Sequence, residues 1–157
     1  MQRHSPLTMT LDGIEWVEKS AYDAVVRKLN QRQRTTASHN HQFAAIKDCF
    51  DSLPVRHANA PYAASAEAFR KHGLIVTGHC DVETLDMGDH DAALNAAPFI
   101  SKTAKKAHGY AITVVRGSLI VCSTPHSQSY KAMGKDRFNR SKADVLEWAS
   151  AILEGAA

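Results

Sequence analysis

The chain has no apolar run approaching the roughly 18 residues that a membrane span requires. Its first ten residues, MQRHSPLTMT, lack the apolar core of a secretory signal. A cytosolic location is the expectation that follows. Cysteine is scarce. Cys49, Cys80 and Cys122 are far apart, odd in number and without CxxC spacing, which argues against a disulfide framework and predicts reduced thiols. There is no GxSxG, no GxxxxGK[ST] and no GxGxxG, so neither a hydrolase nucleophile elbow nor a phosphate- or dinucleotide-cradling loop of those kinds is expected. Aromatics make up only 7% of the residues, few for a protein that stacks nucleobases on a broad platform.

What is present is an ordinary globular composition, 44% hydrophobic and 22% charged, in 157 residues. A chain of that length buries about 68–70% of its unfolded surface and needs neither disulfide nor metal to fold. The expectation is a single domain over 1–157 with a loosely attached N-terminal arm over 1–18, in which 9–17 starts a strand. Helical spacing of Tyr22, Val25, Val26 and Leu29 predicts a helix over 20–31. That of Phe43, Ile46, Phe50 and Leu53 predicts another over about 37–53, stopped by Pro54. Ser65 opens a third, with Phe69 and Leu74 inward, although Gly73 costs it about 1 kcal/mol of propensity. A helix from Asp89 to about Lys106 is expected to break or kink at Pro98. YAITVVR and SLIVC flank Gly117-Ser118 and predict a hairpin over 110–122. Phe138, Val145, Trp148, Ala149 and Ile152 form one apolar face of a last helix over 135–154, ended by Gly155. The predicted class is α+β: several helices packed on a small antiparallel sheet.

The histidines invite a metal hypothesis. His79, Cys80 and His90, with Asp81, Asp86, Asp89 and Asp91 nearby, are ligand types, but no tight pair such as CxxC or HxxxH fixes two of them on one turn. The stretch 81–91 therefore reads as an acidic surface loop beside a half-buried Cys80. His39 and His41 flank Asn40 at the start of a helix, where two residues apart means a divergence of about 200°, too wide to chelate one ion. That turn, polar and just downstream of basic residues, can instead offer backbone and side-chain donors to phosphate.

Net charge is only +3, yet it is segregated. Arg27, Lys28, Arg32 and Arg34 form one basic run. Lys102, Lys105 and Lys106 form a second. Lys131, Lys135, Arg137, Arg140 and Lys142 form a third, interrupted only by Asp136. Segregated charge creates local potentials that attract polyanions even when the total is small.

The order of short motifs resembles the phage Orf/NinB recombination-mediator family and related phage and prophage proteins. The blocks are Arg34, Thr36, Ser38, Asn40, His41 and Phe43; then Ser65, Glu67, Phe69, Arg70 and Lys71; then Ser129, Met133 and Phe138. The likeness covers roughly 30–150. This chain differs in having His39 where the family often has Gln, His41 where it often has Arg or Lys, and Phe43 where it often has Trp. Segments 81–91 and 92–106 look like an insertion. The resemblance implies a non-enzymatic homodimer that binds single-stranded DNA and helps load a recombinase past single-strand-binding protein.

Charge clustering and motif order together assign DNA contacts to Arg32, Arg34, Asn40, Lys47, Arg70, Lys71, Lys131 and Lys135, with Met133 and Phe138 packing beneath. No catalytic residue, metal or cofactor is expected. With Phe43, Phe50, Phe69 and Trp148 assigned to the core, Tyr62, Tyr110 and Tyr130 remain for stacking, which favours a mainly electrostatic groove. Two rivals stand beside this reading. One is a metal-dependent phage nuclease using Asp81, Glu83, Asp86, Asp89 or His90. The other is a protein-interaction module without DNA affinity.

Overall fold

A computed structural model of the chain describes residues 8–11, 14–17, 23–24, 26–27 and 40–155. The chain divides into two compact units, Met1–His41 and Gln42–Ala157. In the first unit, β1 (Thr8–Leu11) and β2 (Ile14–Val17) pair antiparallel, with Thr8 opposite Val17 and Leu11 opposite Ile14. Positions 23–24, 26–27 and 40–41 are helical. The rest of the helix expected over 20–31 lies outside the described residues, as do Arg32 and Arg34.

The second unit has the predicted α+β class. It opens with helical residues 42–51 (α1). Two short 3-10 turns, Val55–His57 and Pro61–Ala64, follow. Helix α2 spans Ala66–Val76; the Ser65 hydroxyl caps it by accepting the Ala68 N–H at 3.0 Å. The last helices are α4 (Tyr130–Met133) and α5 (Lys135–Glu154), the latter closed by Gly155 at φ +78°. Ile46, Phe69, Leu74, Val145, Ala149 and Ile152 form the core where α1, α2 and α5 meet. Each of these side chains other than the small Ala149 contributes about 1.5–3 kcal/mol by leaving water.

Gly73 sits in the middle of α2, where its low propensity argues against a helix. The reason it is tolerated lies across the core: a Cβ there would come within 2.7 Å of Trp148 Cε3. The missing side chain is the seat for the indole, which stacks tilted on Phe69 at 4.7 Å between ring centroids. Tyr62 meets Trp148 edge-on at 5.8 Å and His72 at 4.7 Å. Tyr110 is 6% exposed and shares a 2.9 Å hydrogen bond with His72 Nδ1. Two of the three tyrosines expected to be spare for stacking are thus held in this aromatic cluster. Phe43, expected in the core, is 37% exposed with the Arg70 guanidinium 5.1 Å above its ring.

Burial of His72 in that cluster pushes its pKa below the usual 6.5. The folded state therefore refuses a proton that the unfolded state accepts, so stability is lost as pH falls through about 6.5 and the loss levels off below the folded pKa. Urea midpoints measured at pH 7.5 and 5.5 should fall in the native protein and fall less in His72→Gln. Equal drops in the two proteins would show that another group carries the acid sensitivity.

The sheet has the order β3-β5-β4, all antiparallel. β4 (Ile112–Arg116) and β5 (Leu119–Pro125) form the predicted hairpin; Arg116 faces Leu119 across Gly117-Ser118, with Gly117 at φ +60°. The acidic stretch is not a loop. Cys80–Asp86 is strand β3, paired along its whole length to β5 from Cys80 opposite Pro125 to Asp86 opposite Leu119. Helix α3 (His90–His108) follows, N-capped by the Asp89 carboxylate, which accepts the Ala92 N–H at 2.8 Å, and ended by Gly109 at φ +75°. It runs through Pro98 without the expected break. Proline forfeits one main-chain bond, to Leu94, and Leu94 is 49% exposed, so water can serve that carbonyl.

Alternation along the strands sorts the two sheet faces. Asp81, Glu83, Ile120, Cys122 and Thr124 face α3. Cys80 and Pro125 face the other way, where the Cys80 thiol donates to the Ile75 carbonyl of α2 at 3.6 Å. Beyond that end this second face stays open, with Val82 58% and Val114 43% exposed.

Candidate functional site

Exposed Lys131, Lys135, Arg137 and Arg140 lie on α4 and the first turns of α5. The position of this α4–α5 corner is fixed by three polar links that converge on the end of the sheet. In the first, Arg70 on α2 donates to Gln128 Oε1 at 2.6 Å, and Gln128 Nε2 donates to Ser141 Oγ on α5 at 2.9 Å; all three residues are buried. Glu67 clasps the same guanidinium from the outside, accepting from Nε at 3.0 Å and from Nη2 at 2.7 Å. Burial pushes the Glu67 pKa up, but the hydrogen bonds and positive charge of Arg70 and Lys71 together outweigh it and lower the carboxyl's pKa. In the second link, His79 Nε2–H donates to Asp144 at 2.7 Å. In the third, His126 Nε2–H donates to Asp81 at 3.0 Å, while its Nδ1 lone pair accepts from Arg137 at 3.3 Å. The 126–129 segment is thereby tied to α2, β3 and α5.

On that base Ser129 caps α4, accepting the Ala132 N–H at 3.1 Å, and Gly134 at φ +74° turns the chain into α5. Met133 and Phe138 are buried beneath, as expected. Gly134 has no side chain to cap α5, so this 20-residue helix starts without a side-chain N-cap hydrogen bond. Around that start Lys131, Lys135, Arg137 and Arg140 are exposed, with Asp136 the single acid of the first turn. Tyr130 is 39% exposed at the same corner. Lysine and arginine heads, a helix start without a side-chain cap and one accessible ring are the groups that bind a phosphodiester chain with exposed bases.

The other expected contacts that lie among the described residues are on other elements. Asn40 is exposed on a helical turn of the first unit. Lys47 is exposed on α1 and paired to Asp51. Arg70 is 6% exposed and its donors are taken up by Glu67 on the outside and Gln128 on the inside, so it positions the corner from below. Lys71 donates to the His108 carbonyl at 2.9 Å and joins α2 to the end of α3. Lys102, Lys105 and Lys106 are exposed on α3. Gln128 and Ser141 were not singled out by the sequence. For Ser141 the signal is a polar residue at a buried position of α5, visible once Phe138 and Val145 fix the buried face of that helix; Gln128, in the segment between β5 and α4, carries no local signal.

The acids of 81–91 do separate work. Asp86 accepts the Gly88 N–H at 3.0 Å, a bond that lowers its pKa. Asp89 caps α3. His90 Nδ1–H donates to the Gly117 carbonyl at 2.9 Å. Among the described residues no group of three or more His, Cys, Asp or Glu is placed to hold a metal ion. Burial pushes the Cys49 and Cys80 thiols up, away from the thiolate form. Among the described residues no helix is long and apolar enough to cross a membrane. Comparison with protein-family models, curated proteins and solved structures finds no match.

Proposed function

We propose that the protein binds single-stranded nucleic acid at the α4–α5 corner, as a non-catalytic accessory protein of phage-type DNA recombination or replication. The observation that carries this is the grouping of exposed Lys131, Lys135, Arg137 and Arg140 with Tyr130 around the uncapped start of α5. The Ser129, Met133 and Phe138 block of the mediator-family resemblance falls at the same corner, which supports the reading. On that resemblance the working form is a homodimer in the cytoplasm, and its partners are a recombinase or a single-strand-binding protein. Lys47 on α1 and Asn40 in the first unit remain proposed contacts, each on its own unit. Arg70 leaves the contact set, because its guanidinium is already engaged by Glu67 and Gln128.

Fluorescence anisotropy with a labelled single-stranded oligonucleotide tests the proposal. Affinity should fall steeply between 50 and 200 mM salt, as counterion release requires (values from the general behaviour of such complexes, about 0.7 in log–log slope per phosphate). Replacing Lys131, Lys135 and Arg140 together by alanine should flatten that slope by about 2 and weaken binding roughly 10- to 100-fold. Tyr130→Ala should cost about 1–3 kcal/mol on single strands and little on duplex. Absence of binding at low salt, or a salt slope untouched by the triple substitution, would overturn the proposal.

A further inference from the structure

Between α3 and the sheet lies a cleft of about 380 Å³ that the nucleic-acid reading does not use. One wall is Phe99, Ile100, Thr103, Ala104, Ala107 and His108 of α3; the other is Asp81 and Glu83 of β3 with Cys122 and Thr124 of β5. The two carboxylates share this wall because they are two residues apart on one strand. Opposite them in register stand Thr124 and Cys122. Cys122 is 5% exposed and supplies an apolar floor.

The charge of the cleft is one-sided. Among the described residues no lysine or arginine lines it. Asp81 has one oxygen engaged by His126. Glu83 has no hydrogen bond or ion pair among the described residues. The cleft therefore offers carboxylate oxygens at one side of an apolar space of ligand size. At its lining Phe99 is 73% exposed, an aromatic face able to lie over a cation. A phosphate or carboxylate would be repelled here. A hard metal ion would find two carboxylates against a wall of carbon, and it prefers six or more oxygens.

We infer that the cleft between α3 and the β3–β5 wall binds an alkylammonium group, its charge against Asp81 and Glu83 and its carbon chain along Ile100, Ala104 and Ala107. Two sources share that chemistry: a free aliphatic amine, or the lysine side chain of another polypeptide. The proposal does not depend on nucleic-acid binding, since the α4–α5 corner and the cleft have no lining residue in common.

Two-dimensional 1H–15N NMR of the full-length protein tests it, with hexylamine, hexanol and hexanoate as probes. Hexylamine should shift amides at 81–83, 99–108 and 122–124, and bind about 10-fold more tightly than hexanol, the factor set by one charge-assisted hydrogen bond. Hexanoate should not bind. Glu83→Gln should abolish most of the preference of hexylamine over hexanol; Glu83 is exposed and its side chain makes no hydrogen bond or ion pair among the described residues, so the near-isosteric variant keeps the fold. Phe99→Ala, also exposed, should weaken hexylamine about 2- to 5-fold, the scale of an exposed cation–π contact. A blocked peptide bearing a single lysine is the second arm: tighter binding than hexylamine assigns the site to a polypeptide partner, weaker binding assigns it to a free amine. Shifts scattered over the molecule, equal affinity for amine and alcohol, or a preference unchanged in Glu83→Gln would each overturn the inference.

Discussion

Phe69→Ala should remove about 3–5 kcal/mol of stability, the usual loss for a fully buried aromatic. Phe69 is 0% exposed and lies at the junction of three aromatic contacts, with Trp148 at 4.7 Å, Tyr62 at 5.8 Å and Phe50 at 6.1 Å between centroids. The space it leaves cannot be filled cheaply. Gly73 already brings the indole against α2, and Val145 and Ala149 are fully buried on α5, so the surrounding helices have little room to collapse. Urea denaturation monitored by tryptophan fluorescence measures the effect directly. A loss under about 1 kcal/mol would show that α2 does not pack on α5 as described.

The second large effect is expected at Arg70. Arg70→Met should cost about 2–3 kcal/mol. Gln128 Oε1 would be left buried without a donor, which carries most of that figure, whereas Glu67 is half exposed and recovers solvation. Adding Gln128→Leu should recover about 1 kcal/mol or more, because the orphaned amide is removed as well; Ser141 keeps its bond to the Phe138 carbonyl at 2.9 Å. The same variants separate the two roles available to this arginine. A residue that only positions the corner changes stability and leaves the salt slope of DNA binding intact. A phosphate contact would lower that slope by nearly one. A flattened slope in Arg70→Met would return Arg70 to the binding surface.

The sequence made some elements legible because their cause is local. The Ser65 cap, the apolar face Phe138–Val145–Ile152 and the Gly117-Ser118 turn each sit within a few residues of what they determine, and each is found where it was expected. Strand β3 was illegible for the opposite reason. Asp81, Glu83 and Asp86 break the apolar pattern of a strand, and only its pairing with β5, roughly forty positions away, makes an edge strand of it. Pro98 misled because a helix start and stop, Asp89 and Gly109, outweigh one lost backbone bond. The basic residues of the α4–α5 corner could be read directly as a charge run. The Arg70–Gln128–Ser141 chain beneath them could not, since it joins residues 58 and 13 positions apart.

That buried chain has a practical consequence for genetics. Because Arg70 and Ser141 hold Gln128, and Gln128 holds the segment leading into α4, the outer face of the corner inherits its shape from the interior. A search for variants that fail to recruit their ligand will collect lesions deep in α2 and α5 alongside those at the lysines, and melting curves will be needed to sort one group from the other.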